Sequence, residues 1–99
     1  MANNKFSNIA YVDSTGEITN KKTLLKGFIV KCSHGSNNAK FKLSDNNSTR
    51  SYPLVFEYEL PNGDKSKVES LQDMEISFQS GIKVDTISDA IVTLIYTEV

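Results

Sequence analysis

The sequence predicts an all-β fold: a small antiparallel β-sandwich, jelly-roll-like, of about seven to eight strands. Three observations carry that prediction. Apolar residues recur at every second position through most of the chain, the side-chain period of a strand and not of a helix. Clusters of Asn, Asp, Ser and Gly interrupt these runs at roughly the 8–12 residue spacing of sandwiches and barrels. No repeat unit and no linker divides the 99 residues, so residues 1–99 are expected to form a single β-sandwich domain.

The elements follow in order. FSNIAYVD gives a weak first strand with Phe6, Ile9 and Tyr11, and DSTGE after it reads as a turn from its Asp, Ser and Gly. KKTLLKGFIVKCSH is the strongest strand: Phe28, Val30 and Cys32 make one apolar face, and Leu25 and Ile29 add to the other. HGSNN turns the chain into AKFKLSD, where Ala39, Phe41 and Leu43 point inward and Lys40 and Lys42 outward, as in a half-buried antiparallel strand. DNNSTRSYP is loop, because its Asn, Ser and Thr side chains compete for local backbone groups. LVFEYELP follows, with Leu54, Phe56, Tyr58 and Leu60 inward and Glu57 and Glu59 outward.

Asn62-Gly63 is the sharpest local signal, since a type I′ turn requires positive φ at both central positions and Asn-Gly tolerates it. It predicts a hairpin whose return arm is KSKVESLQD. In that arm Ser66 with Glu69 would form a capping box and Val68 with Leu71 a helical pair, but the stretch is short for a helix and strand is the favoured reading. MEISF and GIKVD are two more short strands about Ser80-Gly81, and AIVTLIYTE is the last. The expected core comprises Phe28, Val30, Phe41, Phe56, Tyr58, Ile76, Phe78, Val84 and Leu94.

Composition bounds the function. At 38% hydrophobic and 23% charged residues the chain is too apolar for a disordered one. No run approaches the roughly 20 apolar residues of a helical membrane span, and MANNKFSN lacks the pattern of a signal peptide, so no membrane partner is expected. Cys32 is the only cysteine, which leaves no disulfide within one chain. A formal net charge of −1 argues against a protein built to coat nucleic acid. Eight of the 11 basic residues precede residue 51, and nine of the 12 acidic ones follow it. In a sandwich the two halves interleave, which would erase this asymmetry; otherwise the molecule has unlike poles.

Candidate chemistry is sparse. Cys32 and His34 lie two apart on one strand, but a zinc site needs about four ligands, and no second Cys or His exists. No acid–base constellation or Gly-rich oxyanion turn frames them for nucleophilic catalysis. Asp45, Asp64, Asp73, Asp85 and Asp89 sit at predicted turns, without calcium-loop spacing, where aspartates commonly serve their own backbone. Lys21, Lys22, Lys40, Lys42 and Arg50 with Phe41 could form a basic stacking surface, but Phe41 is better placed in the core beside Ala39 and Leu43. Tyr11, Tyr52, Tyr58 and Tyr96 offer no clear sugar platform, since Tyr58 and Tyr96 fall inside strands and Trp is absent. The expectation is therefore no enzyme, no catalytic residue, no metal and no cofactor.

From Leu24 to Glu98, about three quarters of the chain, the order of signals resembles the small β-sandwich virion structural proteins of tailed bacteriophages. The matching features are LLKGFIVKC with a Gly/Ser/Asn turn after it, a short strand ending in SDNNS, a long strand, PNGDKSKV, and GIKVDT followed by AIVTLIYTE. Gln72-Asp73 departs from the pattern in lacking a turn glycine. The resemblance implies a virion component, either capsid decoration (cement) or a fibre-type part, made in the host cytoplasm and acting by assembly without catalysis.

One pattern in the residues points the same way. In AIVTLIYTE, Val92, Leu94 and Tyr96 make one apolar face while Ile91 and Ile95 make the other, so something must cover the second face. That cover is either a second sheet layer or a partner across Leu25, Ile29, Ile91 and Ile95. Partners on the latter reading are further copies of the chain in a homo-oligomer such as a trimer, and the major capsid or another virion protein. The alternative function is a small binding module that recognises a glycan or protein through the Asn/Ser-rich segments HGSNN and DNNSTRS.

Overall fold

Two antiparallel sheets form the protein in a computed structural model that describes residues 8–46, 54–61 and 64–99, Leu54 by its backbone alone. Nine strands are present among the described residues: β1 (Asn8–Val12), β2 (Gly16–Glu17), β3 (Thr23–Cys32), β4 (Ala39–Asp45), β5 (Leu54–Leu60), β6 (Val68–Leu71), β7 (Ile76–Phe78), β8 (Ile82–Ser88) and β9 (Ala90–Glu98). Eight match expected strands, and the ninth, β2, is a two-residue pairing inside the segment DSTGE that reads as a turn. The larger sheet runs β1-β9-β3-β6, with β7 pairing the same strand β3, and the smaller runs β2-β8-β4-β5. Six of the eight connections change sheets, only β4–β5 and β6–β7 staying within one, and the first strand pairs the last: this order is that of a jelly roll.

The Asn-Gly hairpin is corrected by this topology. Asn62 and Gly63 lie outside the described residues, but the two arms that would form the hairpin sit in different sheets: β5 pairs β4, and β6 pairs β3. The segment between them crosses from one sheet to the other. The strand reading of Val68–Leu71 holds, because its ladder partner is the strong strand β3.

Alternation fixes the core. Ala39, Phe41 and Leu43 of β4, Ile82 and Val84 of β8, and Val92 and Leu94 of β9 are all buried between the sheets. Phe28 is the hub: its ring lies 5.1 Å from Phe41, 5.6 Å from Phe56 and 5.0 Å from Tyr58, centroid to centroid, spacings at which tilted and edge-on aromatic pairs are favourable. Six of the nine expected core residues are fully buried. Phe56, Tyr58 and Ile76 are only partly buried and pack against the core from its rim, because β5 and β7 lie at sheet edges.

A β-bulge in β3 changes which residues face inward. Leu25 opposes Tyr96 and Gly27 opposes Ile95, so β3 carries one extra residue, Lys26, against β9. Odd-numbered residues point inward before the bulge and even-numbered ones after it. Thr23 and Leu25 are therefore buried on the same side as Phe28, Val30 and Cys32.

The corners of the sandwich have their own chemistry. Between β8 and β9 the chain changes sheets through Asp89 alone, held at φ 53°. Asp73 takes φ 59° in the β6–β7 connection, supplying the left-handed residue that the missing glycine would have provided. At the other end Gly81, at φ 109°, lies against the backbone of Thr19, where a Cβ would approach the Thr19 carbonyl oxygen to 2.1 Å. The Thr19 hydroxyl accepts from the Ile82 N–H at 2.8 Å and also bonds the Thr23 hydroxyl, and the Thr19 carbonyl accepts from Asn46 Nδ2. Every buried side-chain polar atom among the described residues has a partner.

Candidate interaction face

The two sheets present opposite chemistries to solvent. Across the outer face of the smaller sheet, Lys40 stands opposite Glu59, Lys42 opposite Glu57 and Glu17 opposite Lys83. Lys42 Nζ comes within 4.0 Å of Glu57 Oε2, an exposed contact that adds little stability but keeps the face hydrated. Each pair joins the two halves of the sequence, Lys40 and Lys42 meeting acids from the second half and Glu17 meeting a lysine from it. The lysine face is thus interleaved with carboxylates, and Phe41 beneath it is core.

The outer face of the larger sheet is apolar. Register places Ile9, Ile95 and Gly27 in one row across β1, β9 and β3. Tyr11, Thr93, Ile29 and Ser70 form the next row, and Ile91, Lys31 and Val68 the third. Ile9 is 70% exposed, Tyr11 74%, Val68 54% and Ile29 37%, while Ile91 and Ile95 are half-buried by their neighbours. Apolar patches of this extent on a small protein mark contact surfaces.

Of the four residues expected at an interface, three share this face: Ile29, Ile91 and Ile95. Leu25 does not. It is fully buried in the molecule's own core, because the Lys26 bulge inverts the alternation that would have placed it beside Ile29. Sequence reasoning also missed Ile9, Tyr11 and Val68 as members. The available signal was NIAYV, where Ala10 and Val12 are small enough to fill the inner side of an edge strand, leaving Ile9 and Tyr11 outward.

Next to the bulge the face carries a concavity of about 510 Å³ lined by Lys26, Gln72, Asp73, Met74, Glu75 and Ile95. The β6–β7 connection is tied to the extra residue of β3 there, the Met74 N–H donating to the Lys26 carbonyl. Lys26 Nζ lies 3.2 Å from Glu75 Oε2 on the rim. Gly27 allows the close approach, since a Cβ at that position would stand 2.6 Å from the Leu71 carbonyl oxygen.

The other sequence candidates are dispersed. Cys32 is buried, whereas His34 lies in the exposed loop, its Nδ1 accepting from the backbone N–H groups of Ser36 and Asn37. Asp45 accepts from the Gln79 and Ser80 N–H groups and so fastens the β7–β8 turn. Asp64 accepts from the Ser66 N–H and hydroxyl, which hold its carboxyl below the usual range. No group of three or more His, Cys, Asp or Glu that could hold a metal ion occurs among the described residues. Of the four tyrosines, Tyr52 lies outside the described residues. The Tyr58 hydroxyl donates to Glu69 Oε1 across the open rim of the sandwich, and this bond, with burial second, pushes the phenol up to about 12. Burial, with Glu98 nearby, raises Tyr96 as well.

The chain matches no protein-family model, no curated protein and no solved structure. Its class is therefore defined by the fold and the face alone: a small jelly-roll sandwich with one charged and one apolar outer surface.

Proposed function

We propose that this protein is a non-enzymatic virion structural protein of a tailed phage, a capsid-decoration or fibre-type component that acts by protein–protein assembly. The observation that carries the assembly role is the contrast between the two outer faces. Lysines and glutamates in cross-strand register keep one sheet hydrated, while the other offers Ile9, Tyr11, Ile29, Val68, Ile91 and Ile95 with Lys31 as the single charge in the three rows. Fully desolvating one of the isoleucines contributes about 1.5–3 kcal/mol before the ordering costs of association, so several together suffice for a stable contact. The jelly roll recurs in viral capsid and lectin domains, which is compatible with this reading but does not by itself assign a function. The virion setting rests on the resemblance of Leu24–Glu98 to phage β-sandwich proteins.

The test is mass spectrometry of purified particles of the virus that encodes the chain, paired with the variant Ile91→Lys/Ile95→Lys. The chain is expected in the particle at fixed stoichiometry, and the variant is expected to fold, by circular dichroism, yet be missing from it. A chain absent from particles, or a variant incorporated normally, refutes the proposal.

A further inference from the structure

We infer that the apolar face is completed by a second copy of this chain, with Tyr11 of each copy seated in the concavity beside the Lys26 bulge of the other. This rests on the reading of that face as an assembly surface and specifies its occupant. The face carries few charges: Lys31 and Lys65 stand at the Ile91 end, Asp73 is on the rim of the concavity, and Lys26 is paired with Glu75, which leaves each copy close to neutral. A surface of this kind can meet itself without like-charge repulsion, whereas the smaller sheet's dense lysines and glutamates would have to be brought into register and desolvated.

Relief is complementary as well. On β1 the Tyr11 ring projects, 74% exposed, with Ile9 beside it. Two strands away, across β9, lies the concavity of about 510 Å³ walled by Ile95 and Met74 and rimmed by Gln72, Asp73 and the Lys26–Glu75 pair. An apolar wall with a polar rim suits a tyrosine, which buries its ring and keeps its hydroxyl hydrogen-bonded. Tyr11 stays out of its own concavity, because Thr93 and Ile95 of β9 stand between them. A twofold axis through the middle of β9 exchanges knob and hole, so the contact is made twice and the assembly closes as a dimer.

Area supports a dimer. The strands of this sheet, 5 residues in β1, 9 in β9, 10 in β3 and 4 and 3 in β6 and β7, at about 3.3 Å per residue and about 4.8 Å between strands span roughly 490 Å² per copy, or about 980 Å² for the pair, at the roughly 1,000 Å² threshold of a specific interface. Seating two tyrosines, each burying about 150–250 Å², adds to that total. Without them a flat contact would be marginal, which makes Tyr11 the residue on which the dimer depends.

Sedimentation equilibrium on the full chain tests this. A concentration-dependent dimer is expected, weakened at least tenfold by Tyr11→Ala and unchanged by Glu57→Ala on the charged face. In a Cys32→Ser background, Tyr11→Cys with Gln72→Cys is expected to be joined between copies by a short bis-maleimide, while either cysteine alone is not. A chain monomeric at every attainable concentration overturns the inference, and so does a dimer indifferent to Tyr11→Ala. Either result leaves the assembly role standing if Ile91→Lys/Ile95→Lys still blocks entry into particles; normal entry of that variant refutes the role itself.

Discussion

Replacing Phe28 by alanine should be the most damaging single truncation in the core. Phe28 is fully buried and stands within 5.6 Å, centroid to centroid, of Phe41, Phe56 and Tyr58 at once. Emptying such a site costs about 3–5 kcal/mol, because the transfer free energy is lost and a cavity remains that rings anchored on separate strands cannot close. A domain of this size has roughly 5–15 kcal/mol in total, so the variant should retain about 5–7 kcal/mol if the parent has about 10, and fail to fold if the parent is at the low end. Urea unfolding followed by far-ultraviolet circular dichroism measures this, since the chain has no Trp. With a slope of about 1–3 kcal/mol per molar urea, a 4 kcal/mol loss moves the midpoint by about 2 M at the middle of that range. Phe56→Ala is the internal control. Phe56 belongs to the same cluster but is only partly buried, and its truncation should cost about half as much, near 2 kcal/mol. Equal losses for the two variants, or a Phe28→Ala loss under about 1.5 kcal/mol, would refute the assignment of Phe28 as the hub.

Two further outcomes concern the ends of the sandwich. Gly81→Ala should cost about 3 kcal/mol or more in the same assay. Its methyl would overlap the Thr19 carbonyl at a positive φ, and backing away breaks the Ile82–Thr19 hydrogen bond; a loss within about 0.5 kcal/mol, as at an ordinary surface site, would contradict this. Tyr58, raised to about 12 by its bond to Glu69, should titrate well above the ordinary 10.0 of a tyrosine when tyrosinate absorbance is followed. Because its folded value lies above the ordinary 10.0, the associated stability is fully present below about pH 10 and is lost as pH rises through about 12. Glu69→Ala should return Tyr58 toward its ordinary value, and an unchanged titration curve would show that the bond is not formed in solution.

Periodicity carried the fold class because it depends only on neighbours along the chain. AKFKLSD and AIVTLIYTE each declared an inner and an outer face, and both were assigned correctly: Phe41 and Leu43 are buried, as are Val92 and Leu94. Leu25 went to the wrong side because a bulge is a property of two strands together. Nothing in LLKGF announces that β9 will be one residue shorter than β3 between Tyr96 and Ile95. Asn62-Gly63 misled for a related reason. It is a strong local turn signal, but which sheet receives the returning chain is decided by β3, whose free edge accepts β6. The concavity beside Lys26 was scarcely legible, since it lies where the bulge of β3 and the β6–β7 connection meet. Its one sequence trace is Asp73, a residue that tolerates the left-handed backbone of that connection.

The position of β9 sets the order in which the molecule can be made. It lies between β1 and β3, bonded to both, and Asn8 of β1 finds its partner only at Tyr96. While the ribosome works through the intervening segments, β1 has no companion strand and β3 has one edge bare, with Ile9, Tyr11 and Ile29 already outside the exit tunnel. The larger sheet cannot close until β9 emerges, so folding should wait for synthesis through Glu98 and then proceed slowly, on the millisecond-to-second scale of folds dominated by distant pairings. During that interval the same apolar residues are open to nonspecific capture. Yield in the cell should therefore depend on synthesis rate and chaperone supply more than the final stability suggests.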